Sequence, residues 1–154
     1  MLRVYLAGAV RGTKGDWRDR IPDIPGVCFM HPGAELPGPS EELRSDIYGP
    51  ADRIAVRNCD VLLANCDRLE GGHGTACEIG MAVALGKEIL LVCPSEETRY
   101  IWRFAVGAVP HVYNSLEEAV EVIRYAAGQV GGTARCAATA EPAATRGDNG
   151  RGEG

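Results

Sequence analysis

The sequence predicts a single α/β domain built on an open, mainly parallel five-stranded sheet with helices on both faces. Three observations lead there. Short continuous apolar runs recur along the chain, as in strands covered on both faces of a parallel sheet. Segments of helical length and pattern, with turn residues at their ends, separate most of these runs. The 154 residues suit one domain, and 45% hydrophobic with 24% charged residues is the make-up of a globular chain and not of a disordered or fibrous one.

The first strand is expected over residues 3–7, where a β-branched and aromatic run stops at Gly8. A polar loop over 8–16 leads to one or two helical turns at Trp17-Arg18-Asp19-Arg20, cut off by Pro22 and Pro25. The second strand is expected over 26–30, followed by a proline-rich surface loop over 32–39. Residues 40–48 read as a short helix. Pro50 then opens a second helix to Cys59, because proline suits the first helical position, and Asp52 lies in it. Residues 61–66 form the third strand, and the loop 67–74 leads into an amphipathic helix over 75–85 that Gly86 closes. The fourth strand spans 88–93, a helix spans 98–106, and a short fifth strand spans 111–113. Ser115 and Glu118 form a capping box that starts the last helix, with Leu116, Ala119, Val120 and Ile123 on its apolar face.

Beyond about Gly128 no large apolar residue follows Val130, so the domain is expected to occupy 1–128 and residues 129–154 to form a disordered tail. The alternation of strand and helix implies right-handed crossovers in the manner of flavodoxin-like or Rossmann-like folds. Ligands bind such sheets beyond the C-terminal ends of the strands, which brings 8–16, 67–75 and the loop after Cys93 to one cleft.

Composition narrows the chemistry. A net charge of −5 with 16 scattered basic residues argues against a nucleic-acid partner. No apolar stretch reaches membrane-spanning length, and the N-terminus lacks the build of a signal peptide, so no membrane association and a cytoplasmic location are expected. The six cysteines include no CxxC pair, and Cys28, Cys66 and Cys93 read as buried reduced thiols. His31, His73 and His111 show no metal-ligand spacing, so neither metal nor cofactor is expected. Small-molecule chemistry is what remains.

Two loops carry the candidate residues. Gly71-Gly72-His73-Gly74-Thr75 precedes a helix, so its backbone N–H groups can approach an anionic ligand. Glu78 follows, placed by this reading in the first turn of that helix. Thr75-x-x-Glu78 is also a capping box, in which Glu78 would only satisfy the Thr75 N–H. Gly8-Ala9-Val10-Arg11-Gly12 is a weak phosphate cradle, neither GxGxxG nor a P-loop.

Taken together, three segments resemble the nucleoside 2-deoxyribosyltransferases and the related hydrolases of nucleoside 5′-monophosphates. They are Val4-Tyr5-Leu6-Ala7-Gly8, Asp52 ahead of Cys59-Asp60-Val61-Leu62-Leu63-Ala64, and Gly74-Thr75-Ala76-Cys77-Glu78-Ile79-Gly80 running on to Lys87. The resemblance implies that Glu78 is the nucleophile that attacks the anomeric carbon, since a carboxylate can form a glycosyl-enzyme and leave again. It implies that the Tyr5 hydroxyl orients that carboxylate, the alternative being a core aromatic. Asp52 matches an aspartate that holds the substrate and assists the leaving base, the alternative being a solvated helix carboxylate. Asp60 is read as a turn cap. Arg11 is placed to pair a 5′-phosphate, or is an exposed loop charge. Trp17 and Arg18 either stack on or fence a base, the alternative being that Trp17 anchors its loop to the body, and Trp102 and Arg103 carry the same ambiguity. The resemblance also implies a homodimer or higher homo-oligomer in which subunits complete each other's sites, with 98–106 at the interface.

The departures bear on substrate. Deoxyribosyltransferases carry an Asp six residues before the nucleophile, where this chain has Gly72. Monophosphate hydrolases place a Ser near there and in the loop after the first strand, where this chain keeps Arg11 and lacks the Ser. Three readings follow: transfer of a 2-deoxyribosyl group from a nucleoside to a free nucleobase, hydrolysis of a nucleoside 5′-monophosphate, or nucleotide binding without catalysis.

Overall fold

The computed structural model describes residues 1–9, 16–31, 45–69 and 72–137. Five strands, β1 (Leu2–Gly8), β2 (Val27–Met30), β3 (Val61–Asn65), β4 (Glu88–Val92) and β5 (Val112–Tyr113), form one sheet in the order β2-β1-β3-β4-β5. All four pairings are parallel, as the continuous apolar runs require. The register sets Tyr5 beside Leu62 and Gly8 beside Asn65. Strand order reverses direction between β1 and β3, so the crevice beyond their C-terminal ends is the topological switch point.

Alternation along β1 divides the core into two layers. Val4 and Leu6 join Leu63, Val92 and the apolar stripe of α5 (Leu116–Ala137) on one face. Tyr5 and Ala7 join Val56 of α1 (Ser45–Asn58) and Ile79 and Ala82 of α2 (His73–Ala84) on the other. The opposite end of the two central strands is tied by Asp60, whose carboxylate accepts from the Arg3 backbone N–H at 2.8 Å and from its guanidinium at 2.9 Å. Asp60 is thus a structural clasp, at the end of the strands away from the switch point.

Four boundaries differ from expectation. The helices expected over 40–48 and 50–59 are, within the described residues, the single α1, with Pro50 inside it. A helix already under way can pass through a proline at the loss of one backbone hydrogen bond, so Pro50 does not mark its start. The helix expected over 98–106 is two, α3 (Glu96–Ile101) and α4 (Arg103–Ala108), which meet at Trp102. Ser95 caps α3 reciprocally with Thr98, a polar pairing that moves the start upstream. The helix expected from Thr75 begins at His73, with Gly72 as its N-cap. α5 continues past Gly128 to Ala137, because helical hydrogen bonds are local and can outrun the apolar stripe.

Other signals are met as expected. Gly86 sits at φ +63° after α2, where the Gly86 N–H reaches the Val83 carbonyl at 3.0 Å and the Lys87 N–H reaches that of Ala82 at 2.9 Å. Ser115 Oγ accepts from the Glu118 N–H at 3.2 Å, although the Glu118 carboxylate answers to the Asn114 N–H and not to that of Ser115. No described helix is long and apolar enough to cross a membrane.

Candidate active site

Three elements bring three acidic or phenolic side chains to the switch point. β1 delivers Tyr5, which its odd register turns toward α1 and α2. The helix after β3 delivers Glu78, and the helix before β3 delivers Asp52. The Tyr5 hydroxyl donates to Glu78 Oε1 at 2.7 Å, in a contact where Tyr5 is fully buried and Glu78 is only 8% exposed. The Asp52 carboxylate lies close enough to that hydroxyl for its charge to add to the raised proton affinity of the phenol. A phenol carries one proton, so it serves one carboxylate at a time.

Electrostatics follow from this crowding. Burial raises the Glu78 carboxyl above the usual carboxylate range, and Asp52 pushes it further up, while the Tyr5 hydrogen bond and Arg18 pull it back. Burial likewise raises Asp52, against the opposing pull of the Tyr5 hydroxyl. Tyr5 is held far above the ordinary phenol range, by burial first and by the charge of Glu78 second, and so stays a proton donor. Two carboxyls with raised affinity for protons, one of them hydrogen-bonded to a neutral phenol, suit nucleophilic and acid–base work.

The capping-box alternative for Glu78 is overturned. α2 starts at His73, which makes Thr75 its third residue and puts Glu78 in the second turn, not the first. Gly72, in a left-handed conformation at φ +101°, is the cap and supplies no side chain. Thr75 is buried inside the first turn, and Gly74 and His73 are exposed beside it. Gly72 and His73 line an apolar groove of about 380 Å³ between α2 and α4, together with Ala76, Ile79, Trp102 and Phe104. This groove lies on a different flank of α2 from Glu78.

The end of β1 and residues 16–18 are tied together by an anchor. Asp16 accepts from the Arg18 N–H at 3.1 Å and pairs with the Arg18 guanidinium at 3.0 Å. That guanidinium also donates to the carbonyls of Leu6 at 3.1 Å and Gly8 at 3.0 Å, and it stacks over the Trp17 ring. Trp17 is buried in the core layer shared with α5, and a side chain at Gly8 would meet its indole and the Asn65 carbonyl. Of the two readings of Trp17 and Arg18, the structure therefore takes the anchor. Arg11 lies outside the described residues. Sequence reasoning missed the Arg18 brace, for which the only signal was an Asp-x-Arg spacing too common to single out. Among the described residues no group of three His, Cys, Asp or Glu side chains is placed to hold a metal ion.

Tyr5→Phe tests the contact directly. The change keeps the ring in the core and removes one hydrogen bond to a charged group, worth about 1.5–3 kcal/mol, so kcat/KM is expected to fall roughly 10- to 150-fold. Removing that donor also leaves the Glu78 carboxyl with a higher proton affinity, and the acid limb of the pH profile should move up. An unchanged profile would return Tyr5 to a purely packing role.

Comparison with known proteins concerns the family and the fold. Residues 4–130 match the family model described as Nucleoside 2-deoxyribosyltransferase. Among solved structures, a conserved protein from Enterococcus faecalis V583 superposes with a TM-score of 0.62 at 21% identity, over 79% of this chain and 96% of that one. A 2-desoxiribosyltransferase from Leishmania mexicana gives 0.59 at 19% identity, over 81% and 98%. A CMP N-glycosidase from Clostridium botulinum gives 0.52 at 24% identity, over 79% and 96%. At such identities these likenesses concern the fold. A 74-residue stretch is also 35% identical to part of the human spectrin beta chain, non-erythrocytic 5; it spans 47% of this chain and only 2% of that protein, too small a share to carry a functional reading. With the family match extending over most of the chain and a shared parallel fold beneath it, this chain belongs to the nucleoside 2-deoxyribosyltransferase family.

Proposed function

We propose that this protein cleaves the N-glycosidic bond of a nucleoside or deoxynucleoside through a glycosyl-enzyme on Glu78 and transfers the 2-deoxyribosyl group to another nucleobase. Family membership supports the coarser statement, an enzyme that transfers a glycosyl group or cleaves an N-glycosidic bond of a small nucleoside or nucleotide. The observation that carries the finer reading is the 2.7 Å hydrogen bond from Tyr5 to a buried Glu78. A carboxylate fixed by one donor presents its other oxygen to the anomeric carbon. As Glu78 forms the C–O bond, the C–N bond breaks and its electron pair leaves with the base, to which Asp52 gives a proton. An incoming base nitrogen then attacks the same carbon, loses a proton to Asp52 and releases the Glu78 carboxylate. No metal or cofactor enters the scheme.

A second reading, hydrolysis of a nucleoside 5′-monophosphate, draws on Gly72. A Cβ there would lie 2.5 Å from the Trp102 ring, so the chain has no room for the carboxylate that the transferases carry at that place. Arg11 is the residue that this reading assigns to the phosphate. The experiment is to supply a deoxynucleoside with and without a second free base, and separately its 5′-monophosphate, and to follow the bases released and formed. Base exchange supports transfer, release of base from the monophosphate alone supports hydrolysis, and binding without turnover removes both.

A homodimer or higher homo-oligomer belongs to the same proposal, supported by the apolar groove beside exposed Phe104 and Tyr100. A cytoplasmic location is supported by the free thiols of Cys59, Cys66 and Cys93 packed together in one core layer.

A further inference from the structure

We infer that Trp102 is a positioning residue for Glu78: its indole seats the glycine turn that starts α2 and so sets where the nucleophile-bearing helix begins. The inference rests on the reading of Glu78 given above for its catalytic arm, and on packing alone for its structural arm.

The geometry is specific. Gly72 adopts φ +101°, a conformation open to glycine, and the six-membered edge of the Trp102 ring fills the space where a side chain at Gly72 would stand, 2.5 and 2.6 Å from a Cβ built there. The Trp102 indole N–H points along the same loop to the Arg68 carbonyl at 3.4 Å. One side chain therefore touches the β3–α2 connection at both Arg68 and Gly72. From Gly72 the helix runs without interruption to Glu78, and the Gly72 carbonyl accepts the first helical bond, from the Ala76 N–H at 2.7 Å. Trp102 itself is well placed to hold still. It is the junction of α3 and α4, where its own N–H bonds back to the Thr98 carbonyl at 2.9 Å and its carbonyl receives the Val106 N–H at 2.9 Å.

The three atoms nearest to a side chain built at Gly72 all belong to the Trp102 ring. A carboxylate at position 72 and a tryptophan at position 102 exclude each other on this backbone, so Trp102 occupies the space that a family carboxylate would need. Loss of the ring frees the turn. The start of α2 can then shift, and a small displacement of Glu78 relative to Tyr5 is costly because reactivity depends steeply on geometry.

The test uses the full chain with Trp102→Ala and Trp102→Phe, the second keeping a ring but not the N–H. Hydrogen exchange at amides of residues 66–76 is expected to speed up at least about tenfold in Trp102→Ala and to be largely restored in Trp102→Phe, while β1 and β4 stay protected. Base release from the best substrate should lose at least about tenfold in kcat, with KM changed far less, and Phe should recover most of it. Unchanged exchange in Trp102→Ala overturns the inference. So does faster exchange with kcat per folded molecule intact, which would make Trp102 merely structural. If the wild type cleaves no glycosidic bond at all, the reading of Glu78 fails separately, and the exchange result still decides whether Trp102 seats the turn.

Discussion

Glu78→Gln is expected to abolish turnover, by about 10⁴-fold or more, while leaving a folded protein that is more heat-stable than wild type near neutral pH. The loss follows from removing the nucleophile, because an amide cannot form and release a glycosyl ester. The gain follows from linkage. Burial raises the Glu78 carboxyl in the folded state, so the native protein holds that proton more tightly than the unfolded chain does. Above its folded pKa the ionised side chain therefore costs stability, and this cost disappears as pH falls through the folded pKa toward the ordinary carboxylate range. Gln keeps the shape and an acceptor for Tyr5 without the charge. Its Tm advantage should be present at neutral pH and close in acid. The wild-type rate should fall on the acid side at a pH above that of an ordinary carboxylate, as Glu78 takes up its proton. Wild-type-like rates in Glu78→Gln would end the covalent scheme.

Arg18→Met should produce the largest loss of stability. The guanidinium is buried, with a side chain only 8% exposed, and it satisfies strand-end carbonyls of Leu6 and Gly8 while paired to Asp16. Removing one partner of a buried pair costs about 3–5 kcal/mol, since the polar groups left behind have lost their water. In a domain of this size that corresponds to a fall in Tm of roughly 10–20 °C. The residue also lowers the proton affinity of Glu78, so the variant's acid limb should move to higher pH. Thermal melts and pH profiles of Arg18→Met and Arg18→Lys check both effects. A loss below about 1 kcal/mol would show that water or a neighbouring group replaces the guanidinium.

Much of the candidate site was legible because its residues sit on the most strongly patterned elements. Tyr5 lies in a continuous apolar strand, and a polar-tipped aromatic there must find a partner. Glu78 stands among small and apolar residues in a helix that packs on the sheet. Its local spacing by itself pointed more to a cap, because Thr-x-x-Glu is satisfied by chain neighbours alone. Whether the helix starts at His73 or at Thr75 depends on Trp102, a residue distant in sequence, and no local pattern reports it. The same holds for Pro50, whose meaning changes once a turn of helix precedes it.

By itself the sequence determined the five parallel strands, the two apolar layers and the family, since these rest on periodicity and on residue order, which are properties of the chain read along its length. Tertiary structure alone decided that Tyr5 and Glu78 meet at 2.7 Å, that Arg18 braces the end of β1, and that an indole closes position 72 to any side chain. Those are contacts between residues far apart in the chain or on separate elements. Their energies come from burial and close packing, and both exist only once the sheet has brought the elements together.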